Sequence, residues 1–124
     1  MLWYLYLWVI PLLAAFWARA RFPASVGLTT GVCFGAIVSP ASLGLYSLFY
    51  TNGFLALFGL VGLVLSMIHS APGYHLAMSL GVVPPGMVVE GVHRLLVEIL
   101  NGLVWSSAYG TLGFLFDRVR IPRR

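Results

Sequence analysis

Glu90, His93, Arg94 and Glu98 are the one group of side chains in this chain whose types and spacing point to chemistry. On a helix Glu90 meets His93 at i+3 and Arg94 at i+4, and Arg94 meets Glu98 at i+4, so both carboxylates can flank one guanidinium. Ionisable groups near membrane depth are expensive to bury and serve as functional hypotheses for that reason. At a helix end the cost falls, because long side chains reach water. The plain expectation is an interfacial salt-bridge network that orients the last helix. Docking to a charged site on another subunit is the sharper one.

Other chemistries fit less well. Glu90-x-x-His93 is half of a carboxylate-bridged di-iron pattern, which needs two such pairs and two further Glu. The chain has only three acidic residues, so it cannot build that site alone. His69, His75 and His93 are candidate ligands for zinc or copper, since imidazole suits both metals. His69 and His75 are expected to flank one loop over which His93 could fold. Three His near span ends suit a bis-His haem poorly, and the cofactor is left unknown. No Ser sits in a nucleophile-elbow context and no Asp lies near a His in sequence, so no hydrolase constellation is present.

The elements that must position these residues are membrane helices. Residues 22 to 89 carry no Asp, Glu, Lys or Arg, and the 124 residues are 60% hydrophobic and 8% charged. A soluble domain needs charged residues on the outer face of each amphipathic element. Long continuous apolar runs such as 54–64 exclude the alternating strands of a β-barrel, and backbone in hydrocarbon must satisfy its own hydrogen bonds, so the spans are helices. The expected fold is a single all-α polytopic transmembrane bundle over 1–124. It has about four spans, at 2–18, 25–50, 54–68 and 86–117, plus a Pro-broken re-entrant or interfacial segment at 69–85. The first span has aromatic residues at both ends and is expected to be retained, not cleaved, since its basic residues follow the apolar stretch. Pro11 should kink it. Pro40 interrupts the second span. Thr51-Asn52-Gly53 is a turn signal that makes spans two and three a hairpin. Pro85 suits the first position of the last helix.

All seven basic residues are Arg, giving a net charge of +4. Four of them, Arg118, Arg120, Arg123 and Arg124, close the chain. Four spans would put Arg19, Arg21 and Arg94 on one side and these four on the other. An odd number would gather six on one side and leave Arg94 alone. Charge bias therefore favours three or five spans, whereas segment length favours four. The Arg19 and Arg21 side is expected to be cytoplasmic. A basic tail without a basic face elsewhere argues against nucleic-acid binding. Cys33, the only cysteine, excludes an intrachain disulfide.

Small residues recur every four positions on three spans: Gly27, Gly31, Gly35 and Ser39; Gly62, Ser66 and Ser70; Gly102, Ser106 and Gly110. Such ridges let two backbones approach closely, which drives helix association in lipid. Internal packing is the plain reading; a ridge facing another protein or a second copy is the sharper one. Asn101 suits a hydrogen bond to a neighbouring helix, with Trp105 and Tyr109 following at four-residue spacing. Together these features lead to an expected function as a non-catalytic accessory or assembly subunit of a membrane complex, with the bilayer and other subunits or itself as partners. An oligomeric transporter or channel using Glu90 and Glu98 is the alternative, and a metal- or haem-binding membrane subunit the third.

Overall fold

The structure, a computed structural model, describes residues 2–120. Arg123 and Arg124 lie outside the described residues. Among these residues all regular structure is helical, with four α-helices: α1, Val9–Arg21; α2, Val26–Tyr46; α3, Leu55–Ser79; and α4, Gly91–Arg120. Short 3₁₀ segments precede α1 (Leu2–Trp8), precede α2 (Pro23–Ser25) and follow α2 (Ser47–Tyr50). Three stretches, Pro23–Tyr50, Leu55–Ser79 and Gly91–Arg120, are long and apolar enough to cross a membrane.

The α2/α4 pair is the spine. The two helices run antiparallel along their length, in a register visible at the glycines. A Cβ on Gly27 would lie 2.4 Å from the Gly113 carbonyl, one on Gly31 2.2 Å from that of Tyr109, and one on Gly35 2.3 Å from the backbone of Trp105 and Ser106. No side chain fits at those distances. The first ridge is therefore consumed inside the chain, with α4 as its partner. Dispersion between close backbones replaces the hydrophobic effect, which supplies no drive between helices in lipid.

One acid fixes the far end of this pair. Asp117 is buried (8% exposed), and its two carboxylate oxygens accept from the Gly27 and Leu28 backbone N–H groups, each at 2.8 Å. These are orphan donors of the first turn of α2. An anion there also meets the positive end of the helix dipole. Ser25 precedes α2 but does not cap it; its hydroxyl donates to the Phe22 carbonyl at 3.3 Å.

Leu2 to Arg21 packs antiparallel to α2. Trp8 Nε1 donates to the Ala41 carbonyl at 3.1 Å, and Gly44 makes room for the Tyr4 backbone. Pro11 falls in the first turn of α1, where a missing N–H removes no α-helical bond, so the chain changes from 3₁₀ to α winding there instead of kinking in mid-span.

Two boundaries differ from the sequence expectation. The third span does not stop at residue 68: α3 runs on through Pro72 to Ser79, so 69–85 is not a separate segment. It ends in a Schellman motif, with Gly81 at φ +70°, Gly81 N–H bonded to the Met78 carbonyl at 3.0 Å and Val82 N–H to that of Ala77 at 2.9 Å. The last helix starts at Gly91, not near Pro85. Met87 N–H closes onto the Pro84 carbonyl at 3.2 Å, so Pro85 and Gly86 (φ +77°) are the middle of a β-turn. The 51–53 turn signal holds.

The placement of α3 follows from its contacts. Its start lies against the end of α2: Gly59 abuts Phe49 and Gly62 abuts Tyr46. Its end lies against the start of α4: Gly73 abuts Val97 and Asn101, and Ala77 packs with Val83 and Val97. The end of α2 and the start of α4 are the same end of the antiparallel spine. Both ends of α3 thus belong to one half of the bundle.

The glycine register sets a stability test. Gly35→Ala forces a methyl against the α4 backbone and should cost about 1–3 kcal/mol. Gly102→Ala meets the Ala36 carbonyl at 3.2 Å, where a small shift suffices, so its cost should be well below that of Gly35→Ala. Reversible unfolding in mixed detergent micelles compares the two; equal costs would contradict the register.

Candidate functional site

The buried stripe of α3 is Gly59, Gly62, Ser66, His69, Gly73 and Ala77. Its spacing of three and four residues is that of one helix face. Every member is small except His69, which is 3% exposed. Pro72 interrupts this face. It has no N–H for the Ile68 carbonyl, and its ring crowds that carbonyl, a defect of about 3 kcal/mol in a helix interior.

α4 repairs the next rung. In a regular helix the Gly73 N–H would bond the His69 carbonyl. Here the Gly73 N–H donates to Asn101 Oδ1 at 2.6 Å, and the His69 carbonyl accepts from Trp105 Nε1 at 2.9 Å. Asn101 and Trp105 stand one turn apart on α4, so they present an acceptor and a donor at the spacing of the opened rung. A Cβ at position 73 would lie 2.4 Å from Asn101 Oδ1, so only glycine lets that side chain reach the backbone. The remaining Asn101 group, Nδ2, points to Ser39 Oγ at 3.5 Å, beside Pro40 of α2. Asn101 is fully buried and joins the proline regions of two helices.

His69 completes the cluster. Its Nδ1 contacts the Leu65 carbonyl at 2.8 Å and its Nε2 the Tyr109 hydroxyl at 2.8 Å. A carbonyl only accepts, so Nδ1 carries the hydrogen. For a neutral ring, Tyr109 then donates to Nε2. The imidazole lies against Trp105, centroids 4.5 Å apart, and is stacked near Tyr109 at 6.0 Å. Tyr109 in turn meets Phe34 edge-on at 4.9 Å. Asn101, Trp105 and Tyr109, expected as a series along the last span, all act on α3.

The other sequence candidates are distributed differently. His69 lies within α3 with both nitrogens engaged, His75 is exposed on the same helix, and His93 is half-buried near the start of α4. The three do not flank a common loop, and among the described residues no three His, Cys, Asp or Glu side chains converge on one metal position. Of the second ridge, Gly62 meets the Tyr46 backbone, while Ser66 and Ser70 turn their hydroxyls onto the carbonyls of Leu63 and Ser66. In the third, Ser106 Oγ donates across to the Val32 carbonyl at 3.0 Å.

The charged cluster is not a network. Glu90 lies before α4 and is exposed. Among the described residues Glu90, Arg94 and Glu98 form no ion pair with one another. Base before acid at i, i+4 is the weaker order on a helix, which disfavours the Arg94–Glu98 pair. Glu98 Oε2 is buried without any hydrogen-bond partner. It lines a groove of about 370 Å³ between α2 and α4, with Pro40, Ala36 and Gly102. Pro40 also lacks the N–H that the Ala36 carbonyl would otherwise accept.

Asp117 was the structural residue that pattern reading overlooked. Its signal was its isolation, as the one acid among terminal Arg, opposite a helix start that lacks an acid of its own. Compared with protein-family models, curated proteins and solved structures, the chain matches none.

The repair of Pro72 is testable at single groups. Asn101→Leu keeps the branched shape, with methyl groups in place of the amide, strands the Gly73 N–H, and should destabilise the fold by about 1–3 kcal/mol. The Gly73 amide should at the same time exchange with solvent faster, as read by NMR in detergent. An unchanged Gly73 exchange rate would show that Asn101 does not hold this group.

Proposed function

We propose that this chain is a non-catalytic membrane component whose work is assembly: it packs against other membrane subunits as an accessory element. The observation that carries this reading is the contrast between the core and the groove. In the core, Asn101, His69, Trp105 and Tyr109 use their hydrogen-bonding groups on one another and on the α3 backbone. They are spent on holding a helix, and a group so engaged is poorly placed to take up substrate. The unsatisfied oxygen belongs to Glu98, a residue that lines a groove on the outside of the bundle. An unpaired buried carboxylate oxygen costs several kcal/mol in an apolar setting, and a partner that supplies donors removes that cost.

The topology in this reading is three crossings. Leu2–Arg21 is about 33 Å long, seven residues at the 3₁₀ rise and thirteen at the α rise, enough to match the hydrocarbon core. It crosses with α2 and α4. α3 enters and leaves from one side, because both of its ends lie at one end of the spine. Arg19 and Arg120 then share a side and line a common pocket with Asp117, Arg118 lies over the Phe114 ring at 4.7 Å, and Arg94 stands at the opposite end. That is the six-to-one division of Arg that the positive-inside rule favours, with the Arg19 side cytoplasmic.

Purification in mild detergent followed by mass spectrometry tests the role. The expected result is recovery with a stoichiometric set of other membrane subunits. Recovery without any other protein would overturn the accessory role.

A further inference from the structure

We propose that the groove between α2 and α4 seats a second copy of this chain, held by Arg94 of each copy against Glu98 of the other. Three observations converge on this. First, Glu98 lines the groove, and its Oε2 has no hydrogen-bond partner within the chain. Second, Arg94 is exposed one turn away on the same helix and makes no ion pair among the described residues. Among the described residues it is the only Arg or Lys at that end of the bundle. Third, the groove has the form of a helix seat. At Leu103 and Ser106 it continues into a second stretch of about 460 Å³ that reaches Thr111 and Phe114. Its floor is the line where Gly102, Ser106 and Gly110 of α4 meet Ala36 and Val32 of α2, so no large side chain fills it.

The geometry of a bilayer selects the copy over an arbitrary partner. Copies insert in one orientation, so two α4 helices meet parallel. A two-fold axis along the membrane normal then gives an isologous contact in which each residue is used twice. Arg94 and Glu98 differ in depth by four residues, about 6 Å, within reach of an arginine side chain. One contact thus makes two ion pairs, and each copy supplies what the other lacks. Within one copy the same two residues stand in the unfavourable order; between copies that order does not apply. A metal ion is a poorer occupant, because one carboxylate and one carbonyl leave most of its coordination unfilled. The proposal rests on the assembly reading only in taking the groove for an interface.

The test is a charge swap in phosphatidylcholine liposomes, with subunit number counted by single-molecule photobleaching at several protein-to-lipid ratios. The wild-type chain should dimerise. Arg94→Glu and Glu98→Arg should each weaken the dimer about tenfold or more, and the two together should recover it to within about threefold. Glu98→Gln and Arg94→Gln give the same reading without introducing a new charge, and tryptophan fluorescence of each variant confirms folding. A wild-type monomer at all densities, or a dimer insensitive to both charges, would overturn the proposal. One copy recovered per complex with larger subunits would also overturn it, while leaving the accessory role intact. A dimer recovered without other subunits would do the reverse.

Discussion

Everything in this bundle depends on how the α3 backbone is satisfied around Pro72. In water a broken rung would be hydrated. In lipid each stranded backbone group costs several kcal/mol, so a proline in the middle of an apolar helix must be answered by a neighbour. Asn101 and Trp105 give that answer with one acceptor and one donor. The same two bonds fix where α3 sits, because they tie its break to one level of α4. The short turn at 51–54 and the Schellman end at Gly81 then have only to connect fixed points. His69 follows as a consequence: it lies one turn before the break, on the same face, and is drawn between Trp105 and Tyr109.

Two kinds of contact divide the labour. Glycine-to-backbone packing sets the distance between α2 and α4, while polar bonds set register. Packing alone is nearly periodic along a helix and tolerates a slip of one turn. Asp117 on the first turn of α2 and Asn101 between two proline regions do not. The bundle therefore has one polar lock at the basic end and one near its middle. Toward Glu98 the spine has no comparable lock among the described residues, and one end of the groove lies there.

The helical membrane class, the turn at 51–53 and the close packing of the first glycine ridge were legible from sequence because lipid leaves few solutions: long apolar runs must be helices, and spaced glycines suit a close backbone; that the backbone is that of α4 was not legible. The internal use of Gly27, Gly31 and Gly35 was the plain expectation and is what occurs. The extent of α3 was not legible. Pro72-Gly73 ordinarily marks a stop, and its continuation depends on side chains 28 and 36 residues away on another helix. Pro85 was misplaced because a proline at the start of a helix and a proline in a turn look alike until the following glycine's φ is known. The cluster at Glu90–Glu98 failed as a network for a similar reason. Its spacing assumed a helix from 85 onward, and Glu90 lies outside it. His69, His75 and His93 were grouped by a loop that does not exist.

In the proposed topology α3 is not counted as a crossing, and charge bias and segment length then agree. Helix length and hydropathy establish that α3 is able to cross; its contacts with the end of α2 and the start of α4 argue that it does not. The measurement that tests this most directly is the distance between spin labels at Asn52→Cys and Val92→Cys, in a Cys33→Ala background, by pulsed electron resonance in nanodiscs. Both labels flank α3, one before its start and one after its end. A same-side α3 predicts a distance well under the ~30 Å thickness of the hydrocarbon core. A distance at or above that thickness would contradict the account.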